Sequence, residues 1–288
     1  MIGGGVMSLT VDSHQHFWDP ARRVYPWMSD ELGPIRRKFS PDDLRPLMYE
    51  KGVARTVLVQ TISSLDETRE FLKLADVTDF IAGVVGWVDL TSPTVGQALG
   101  ELVALPGGHK LVGVRHQAHD EPDPQWLAGR EVRRGLRAVE EFDLAYDLLV
   151  RTRELPAALE TAKAMPGLRF VIDHMAKPAI RSGEVDEWAS RMAPFAELPN
   201  VSCKLSGMVT EADWQRWQPR DLSPYVERVM GWFGEDRVLF GSDWPVCLLA
   251  GSYSQVYDAL SSALGPLAEP AREKIFGGNA IKLYRLKE

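Results

Sequence analysis

The sequence predicts an α/β fold in which eight parallel strands alternate with helices and close into a (β/α)8, or TIM, barrel. Three observations carry this. Eight short β-rich runs recur along the 288 residues, with interiors that are almost continuously apolar, as parallel strands covered on both faces require. Amphipathic segments with helix start and stop signals lie between them. No Gly-rich phosphate fingerprint follows any strand, which disfavours the rival open, doubly wound sheet; "MIGGGVM" precedes a strand and does not link one to a helix.

In order, the strands are read at 7–16 (MSLTVDSHQH), 55–61 (RTVLVQT), 80–90 (FIAGVVGWVDL), 110–117 (KLVGVRHQ), 144–151 (LAYDLLVR), 168–174 (LRFVIDH), 200–207 (NVSCKLSG) and 237–245 (RVLFGSDWP). The helix at 40–52 (SPDDLRPLMYEKG) has Ser40 as N-cap, Pro41 at its first position, acidic residues in its first turn and Gly52 beyond its end. The segments 63–77 and 152–167 read the same way. A long connection follows the first strand at 17–39 and carries Trp18, Tyr25 and Trp27; lids are a usual purpose of such loops. A second aromatic loop spans 208–224, and an amphipathic helical end at 269–286 is expected on the barrel exterior. No low-complexity linker divides the chain, so one domain over 1–288 is expected, with residues 1–7 a floppy extension before an internal start at Met7.

Composition narrows the class. The chain is 45% hydrophobic and 25% charged, an ordinary globular balance. Its net charge of −7 provides no basic field for nucleic acid or an anionic membrane. Cys203 and Cys247 lack CxxC spacing and sit in apolar runs, reading as buried thiols of a reducing compartment. The N-terminus lacks the features of a secretory signal, and no apolar run reaches the roughly 18 residues of a membrane span. A cytoplasmic protein is expected, as a monomer or homo-oligomer.

Chemistry in such a barrel sits where the strands end. The first strand ends in His14 and His16, the second in Gln60, the third in Trp87 and Asp89. Arg115, His116 and Gln117 end the fourth, Arg151 the fifth, and Asp173 and His174 the sixth. Lys204 and Ser206 end the seventh; Ser242, Asp243 and Trp244 end the eighth. Residues i and i+2 of a strand share a face, so His14 and His16 aim at one point above the mouth. With His174 and Asp243 they form a nitrogen and oxygen ligand set for zinc or a similar ion. Each histidine alone would more simply cap a strand end; it is their clustering that indicates a site.

The motifs "DSHQHFW", "IDHMAKP", "KLSG" and "GSDWPV", in this order and followed by "NAIKLYRL", resemble the amidohydrolase superfamily. More narrowly they are similar to its predicted metal-dependent-hydrolase branch, which holds L-fuconolactonase-like, L-rhamnonolactonase-like and 2-pyrone-4,6-dicarboxylate lactonase enzymes. The resemblance spans essentially the whole chain. It implies the barrel, metal-ligand roles for His14, His16 and His174, and the catalytic aspartate role for Asp243. Strand four offers Arg115 and His116 where a two-metal site needs a bridging lysine or glutamate, and strand five offers no histidine. The expectation is therefore at most one divalent ion, zinc first, or metal-independent catalysis.

The expected reaction is hydrolysis of a sugar lactone. Asp243 would activate water, and a metal at His14 and His16, or His174 with Arg115 in its absence, would polarise the carbonyl; His116 is a further catalytic candidate. Gln60, Gln117, Asp89 and Lys204 would supply hydrogen bonds, and Trp18, Trp27, Trp87 and Trp244 flat faces, for a polyhydroxylated ring. Arg115, Arg151, Lys177 and Lys204 keep a dicarboxylate lactone open, since guanidinium pairs bidentately with carboxylate. A metal-dependent decarboxylase and a catalytically silent binding barrel are the rivals.

Overall fold

In the computed structural model, which describes residues 9–287, the strands are β1 (Val11–Gln15), β2 (Arg55–Val59), β3 (Ile81–Gly86), β4 (Leu111–His116), β5 (Ala145–Leu148), β6 (Arg169–Ile172), β7 (Val201–Leu205) and β8 (Val238–Phe240). Each lies inside its predicted run. They pair in parallel in sequence order, β1 to β8. The expected N-terminal extension over 1–7 lies outside the described residues.

The helices are α1 (Pro41–Glu50), α2 (Leu65–Val77), α3 (Val95–Val103), α4 (Arg130–Glu141), α5 (Leu155–Ala164), α6 (Asp186–Met192), α7 (Met208–Glu211), α8 (Pro219–Phe233), α9 (Tyr253–Leu264), α10 (Glu269–Glu273) and α11 (Asn279–Tyr284). The start of α1 is the capping arrangement read from the sequence. Asp43 accepts from the Ser40 backbone N–H at 2.8 Å and from its hydroxyl at 2.6 Å.

Closure between β8 and β1 matters most for function. The Asp243 N–H donates to the His14 carbonyl at 2.8 Å, and the His16 N–H donates to the Trp244 carbonyl at 2.7 Å. Ser13 Oγ donates to the Phe240 carbonyl at 2.6 Å, and the Ser242 N–H to Asp12 Oδ1 at 2.9 Å. The β1 register shifts between Asp12 and Gln15, so the two histidines sit on an irregular strand at this seam. A bulge of this kind re-aims side chains. The seam therefore brings both histidines and Asp243 to one place.

Two cores result. The larger fills the layer between strands and helices and includes Leu58, Val84, Tyr146, Phe170, Cys203 and Phe240. The smaller lies inside the barrel, where Val57, Val59, Val85, Ala145, Val171 and Leu239 meet Ala280, Leu283, Tyr284 and Leu286. The C-terminal helix is thus not on the barrel exterior as expected; it plugs the end opposite the strand C-termini. An apolar helix face suits either place, and the small inward residues Gly83, Gly113 and Ala145 leave the room here that its side chains fill. Both cysteines are buried and unbridged. No helix among the described residues is long and apolar enough to cross a membrane.

Candidate active site

A cavity of about 390 Å³ opens at the C-terminal ends of the strands. Its floor carries His16, His174, Arg115 and Asp243, with His14 buried directly behind. Asp243 Oδ1 stands 3.4 Å from His16 Nε2, 3.8 Å from His14 Nε2 and 3.9 Å from His174 Nε2. The three imidazoles and the carboxylate converge on one point of the floor.

Neighbouring residues hold each of them. His16 Nδ1 lies 2.8 Å from the Val59 carbonyl, and His174 Nδ1 lies 2.9 Å from Ser206 Oγ. His174 opens a run of four residues with left-handed backbone, His174, Met175, Ala176 and Lys177, at φ 53, 53, 59 and 51°. Such conformations cost roughly 1–2 kcal/mol per residue and persist only where their surroundings dictate them. Here the Trp188 indole donates to the Met175 carbonyl at 2.6 Å, and the Lys177 N–H to the His174 carbonyl at 2.8 Å. The turn brings Lys177 back to the cavity wall, where its ammonium meets Glu211 at 2.8 Å.

Beneath the floor lies a buried charge network. Arg115 Nη1 donates to Asp173 Oδ2 at 3.1 Å, and Nη2 donates to the Gln60 carbonyl. Lys204 Nζ is 2.6 Å from Asp147 Oδ2, 2.9 Å from Asp173 Oδ1 and 3.0 Å from His14 Nδ1. Burial pulls the His14 and His174 imidazoles well below their ordinary value of 6.5, so both are neutral near pH 7. Burial alone would raise the Asp243 carboxyl, but His174 and His16 beside it outweigh that and hold it below 3.8. Asp173 behaves likewise: Lys204 and Arg115 overcome its burial and keep it ionised.

His14, His16 and Asp243 form one potential cation site; His14, Asp173 and His174 form a second that shares His14. In the first, the donor atoms are 3.2, 3.4 and 3.8 Å apart, so a common centre lies about 2.0 Å from each, a zinc–nitrogen distance. The donor set fits one divalent ion, with His174 set further back than the sequence suggests.

Several residues expected at the site stand elsewhere. His116 points to the outer face, stacked on Trp126 at 4.1 Å with Nε2 2.8 Å from Glu121; adjacent strand residues face oppositely, and Arg115 takes the inward position. Trp87 lies outside the cavity and donates its indole N–H to His116 at 2.9 Å. Trp244 packs on Phe17 and Phe39 behind the seam. Gln60 is wholly buried and bonds the Arg115 carbonyl and Gln117, both at 3.2 Å. Lys204 is fully buried below the floor, and Asp89 only organises the turn at Thr91. Trp18, Trp27, Gln117, Arg151 and Lys177 do line the cavity, joined by His119, Glu211 and Trp214, which strand ends alone do not single out.

The amidohydrolase family profile matches residues 11–286. The chain is 42% identical to an L-fucono-1,5-lactonase of Burkholderia ambifaria over 97% of each chain. It is 38% identical to an L-fucono-1,5-lactonase of Burkholderia multivorans over 98% of this chain and 97% of that one. A Burkholderia multivorans amidohydrolase crystallised with bound zinc superposes with a TM-score of 0.90 at 36% identity, covering 97% of this chain and all of that one. With that profile spanning the barrel from its first strand to the plug, the chain belongs to the amidohydrolase family.

Proposed function

We propose that this chain is a lactonase that opens sugar lactones at the mouth of the barrel. The observation that carries the reading is Asp243 set against three imidazoles, with its Oδ1 3.4–3.9 Å from their Nε2 atoms. Similarity over nearly the full length of two L-fucono-1,5-lactonases supports it. Asp243, ionised at neutral pH, takes a proton from water as that water attacks the carbonyl carbon. Negative charge grows on the carbonyl oxygen, and Arg115 and His174 on the cavity floor are the donors we assign to it; losing such a stabiliser commonly costs about 10²–10³ in rate. When the ring C–O bond breaks, the alkoxide recovers the proton from Asp243 and leaves as the hydroxyl of the product acid. His14, His16 and Asp243 would hold a divalent ion, which when bound polarises the carbonyl as a Lewis acid.

The lining favours a neutral polyhydroxylated ring over a dicarboxylate. Trp18, Trp27 and Trp214 offer flat faces, and Gln117, Thr210 and Glu211 offer hydrogen bonds. Three of the four cations are already engaged, Arg115 by Asp173, Lys204 by Asp147 and Asp173, and Lys177 by Glu211, while the half-exposed Arg151 stands 4.0 Å from Glu211. The test is a pH-indicator screen of aldono-1,4- and 1,5-lactones and dicarboxylate lactones, with and without chelator. Acid release from aldonolactones is expected. Carbon dioxide release without water uptake would replace the reading with a decarboxylase, and tight lactone binding without turnover would replace it with a binding barrel.

A further inference from the structure

We propose that Lys204 is a positioning residue: clamped between Asp147 and Asp173 below the cavity floor, it fixes the tautomer of His14 with the ring proton on Nε2. This rests on the lactonase reading only in placing His14 at the reaction centre.

An ammonium has three protons to donate and no lone pair. Around Lys204 Nζ stand Asp147 Oδ2 at 2.6 Å, Asp173 Oδ1 at 2.9 Å and His14 Nδ1 at 3.0 Å. The third contact requires a lone pair on Nδ1. A neutral imidazole carries one N–H, so that of His14 is on Nε2, facing the cavity floor. His16 agrees independently. Its Nδ1 lies 2.8 Å from the Val59 carbonyl, which can only accept, so Nδ1 carries a proton, and in the neutral ring Nε2 is the lone pair. His14 Nε2–H then donates to His16 Nε2 at 3.2 Å. Arg115 Nη1, 3.3 Å from His14 Nε2, pulls the other way: it carries two hydrogens, and one of them goes to Asp173 Oδ2 at 3.1 Å. The nearer Lys204 contact decides. The Tyr284 hydroxyl, 2.8 and 2.9 Å from the two Asp147 oxygens, anchors the clamp from the C-terminal plug. A line of polar contacts thus runs up the barrel axis from Tyr284 through Asp147 and Lys204 to His14.

This arrangement works against a cation. An ion among His14, His16 and Asp243 needs lone pairs on both Nε2 atoms. His16 has one ready; His14 must move its proton to Nδ1, where Lys204 aims an N–H. Without Lys204, Nδ1–H is free to donate to Asp173 Oδ1, 3.4 Å away, which is the carboxylate–histidine support typical of metal ligands. Lys204 therefore sets both the donor that His14 presents and the cost of binding metal.

The experiment is ¹⁵N NMR of histidine-labelled, metal-free protein, assigned by single substitutions, with zinc calorimetry. Wild type is expected to show His14 as the Nε2–H tautomer. Lys204→Met is expected to show Nδ1–H, to bind zinc about 10–100-fold more tightly, and to lose kcat with KM little changed. Should Lys204→Met not fold, because it strips the counter-ion from two buried carboxylates, Lys204→Met/Asp147→Asn removes one charge of each sign and carries the same expectations. A wild-type spectrum with Nδ1–H, or zinc affinity unchanged in a folded variant, overturns the proposal. Neither readout uses a lactone, so absent turnover would sink the function while leaving the tautomer assigned.

Discussion

A methyl group on Gly207 would stand 2.6 Å from His174 Nδ1, and Gly207 itself has a φ of +62°. The glycine of "KLSG" is therefore required twice, by its backbone and by the imidazole lying over it. Ser206 beside it bonds the same ring. Gly207→Ala is expected to cost about 1–2 kcal/mol for the left-handed alanine. Displacing His174 should also lower kcat by about tenfold or more, since small misplacements at a reacting centre are costly. Gly183→Ala is the control: φ is +72° there with nothing within 4 Å, so stability should fall comparably with kcat unchanged. Equal kcat loss in both variants would refute the His174 contact as the cause.

Asp243→Asn keeps the size of the side chain and removes the base. The backbone of residue 243 still closes the seam through the His14 carbonyl, so folding should survive. Loss of a general base usually costs about 10²–10⁴ in kcat. A folded variant that keeps more than about a tenth of wild-type kcat would exclude Asp243 as the essential base.

His14, His16, His174 and Asp243 are legible in the sequence because ionisable groups end otherwise apolar runs. Choosing Arg115 over His116 takes the strand's facing as well, because neighbours point to opposite sides. The buried network is harder to read. Asp147 sits in the middle of "LAYDLLVR", and a carboxylate inside an apolar strand needs a buried partner. Lys204 in "NVSCKLSG" is that partner, although its place near a strand end suggests a rim cation. Trp214 and His119 are placed by the connections beyond the strands and Glu211 by the short α7 within one, and no periodicity of the strands reports where such a connection turns back.

The pH dependence should lack an ordinary imidazole limb from His14 or His174. Burial pulls His14 and His174 well below 6.5, and the neighbouring imidazoles hold Asp243 below 3.8 despite its burial. A group with a lowered pKa keeps its deprotonated form to lower pH, so the base and both neutral rings persist as the medium is acidified. In a pH-stat assay kcat/KM should stay level from pH 8 down to about 5. A half-maximal point near 6.5 would show that the resting site carries a charged imidazole.

Metal content should not exceed one ion per chain. Both candidate trios use His14, so filling them together would need its ring as a bridge, with Lys204 displaced from Nδ1. Elemental analysis should return zero to one equivalent, and chelator should reduce turnover only in part. Two tightly held ions, or complete and zinc-reversible loss of turnover, would contradict this.

The C-terminal segment should prove indispensable to the fold. Leu283, Tyr284 and Leu286 are each at most 8% exposed and pack among the inward valines of the barrel. Burying a large side chain is worth roughly 1.5–3 kcal/mol, so these three approach the whole stability of an ordinary domain, about 5–15 kcal/mol. Removing them also leaves Asp147 without the Tyr284 hydroxyl. Deleting residues 279–288 should therefore abolish cooperative unfolding and yield aggregated protein. Tyr284→Phe, which removes one hydroxyl and keeps the packing, should fold with a loss of about 1–3 kcal/mol in urea denaturation. A helix that merely covered the exterior would behave differently, because its deletion would expose one outer stripe and leave the barrel interior closed. A deletion protein that melts cooperatively within about 10 °C of wild type would mean that the inner valines need no plug, since a shift of 2–4 °C already corresponds to about 1 kcal/mol in a chain of somewhat smaller size.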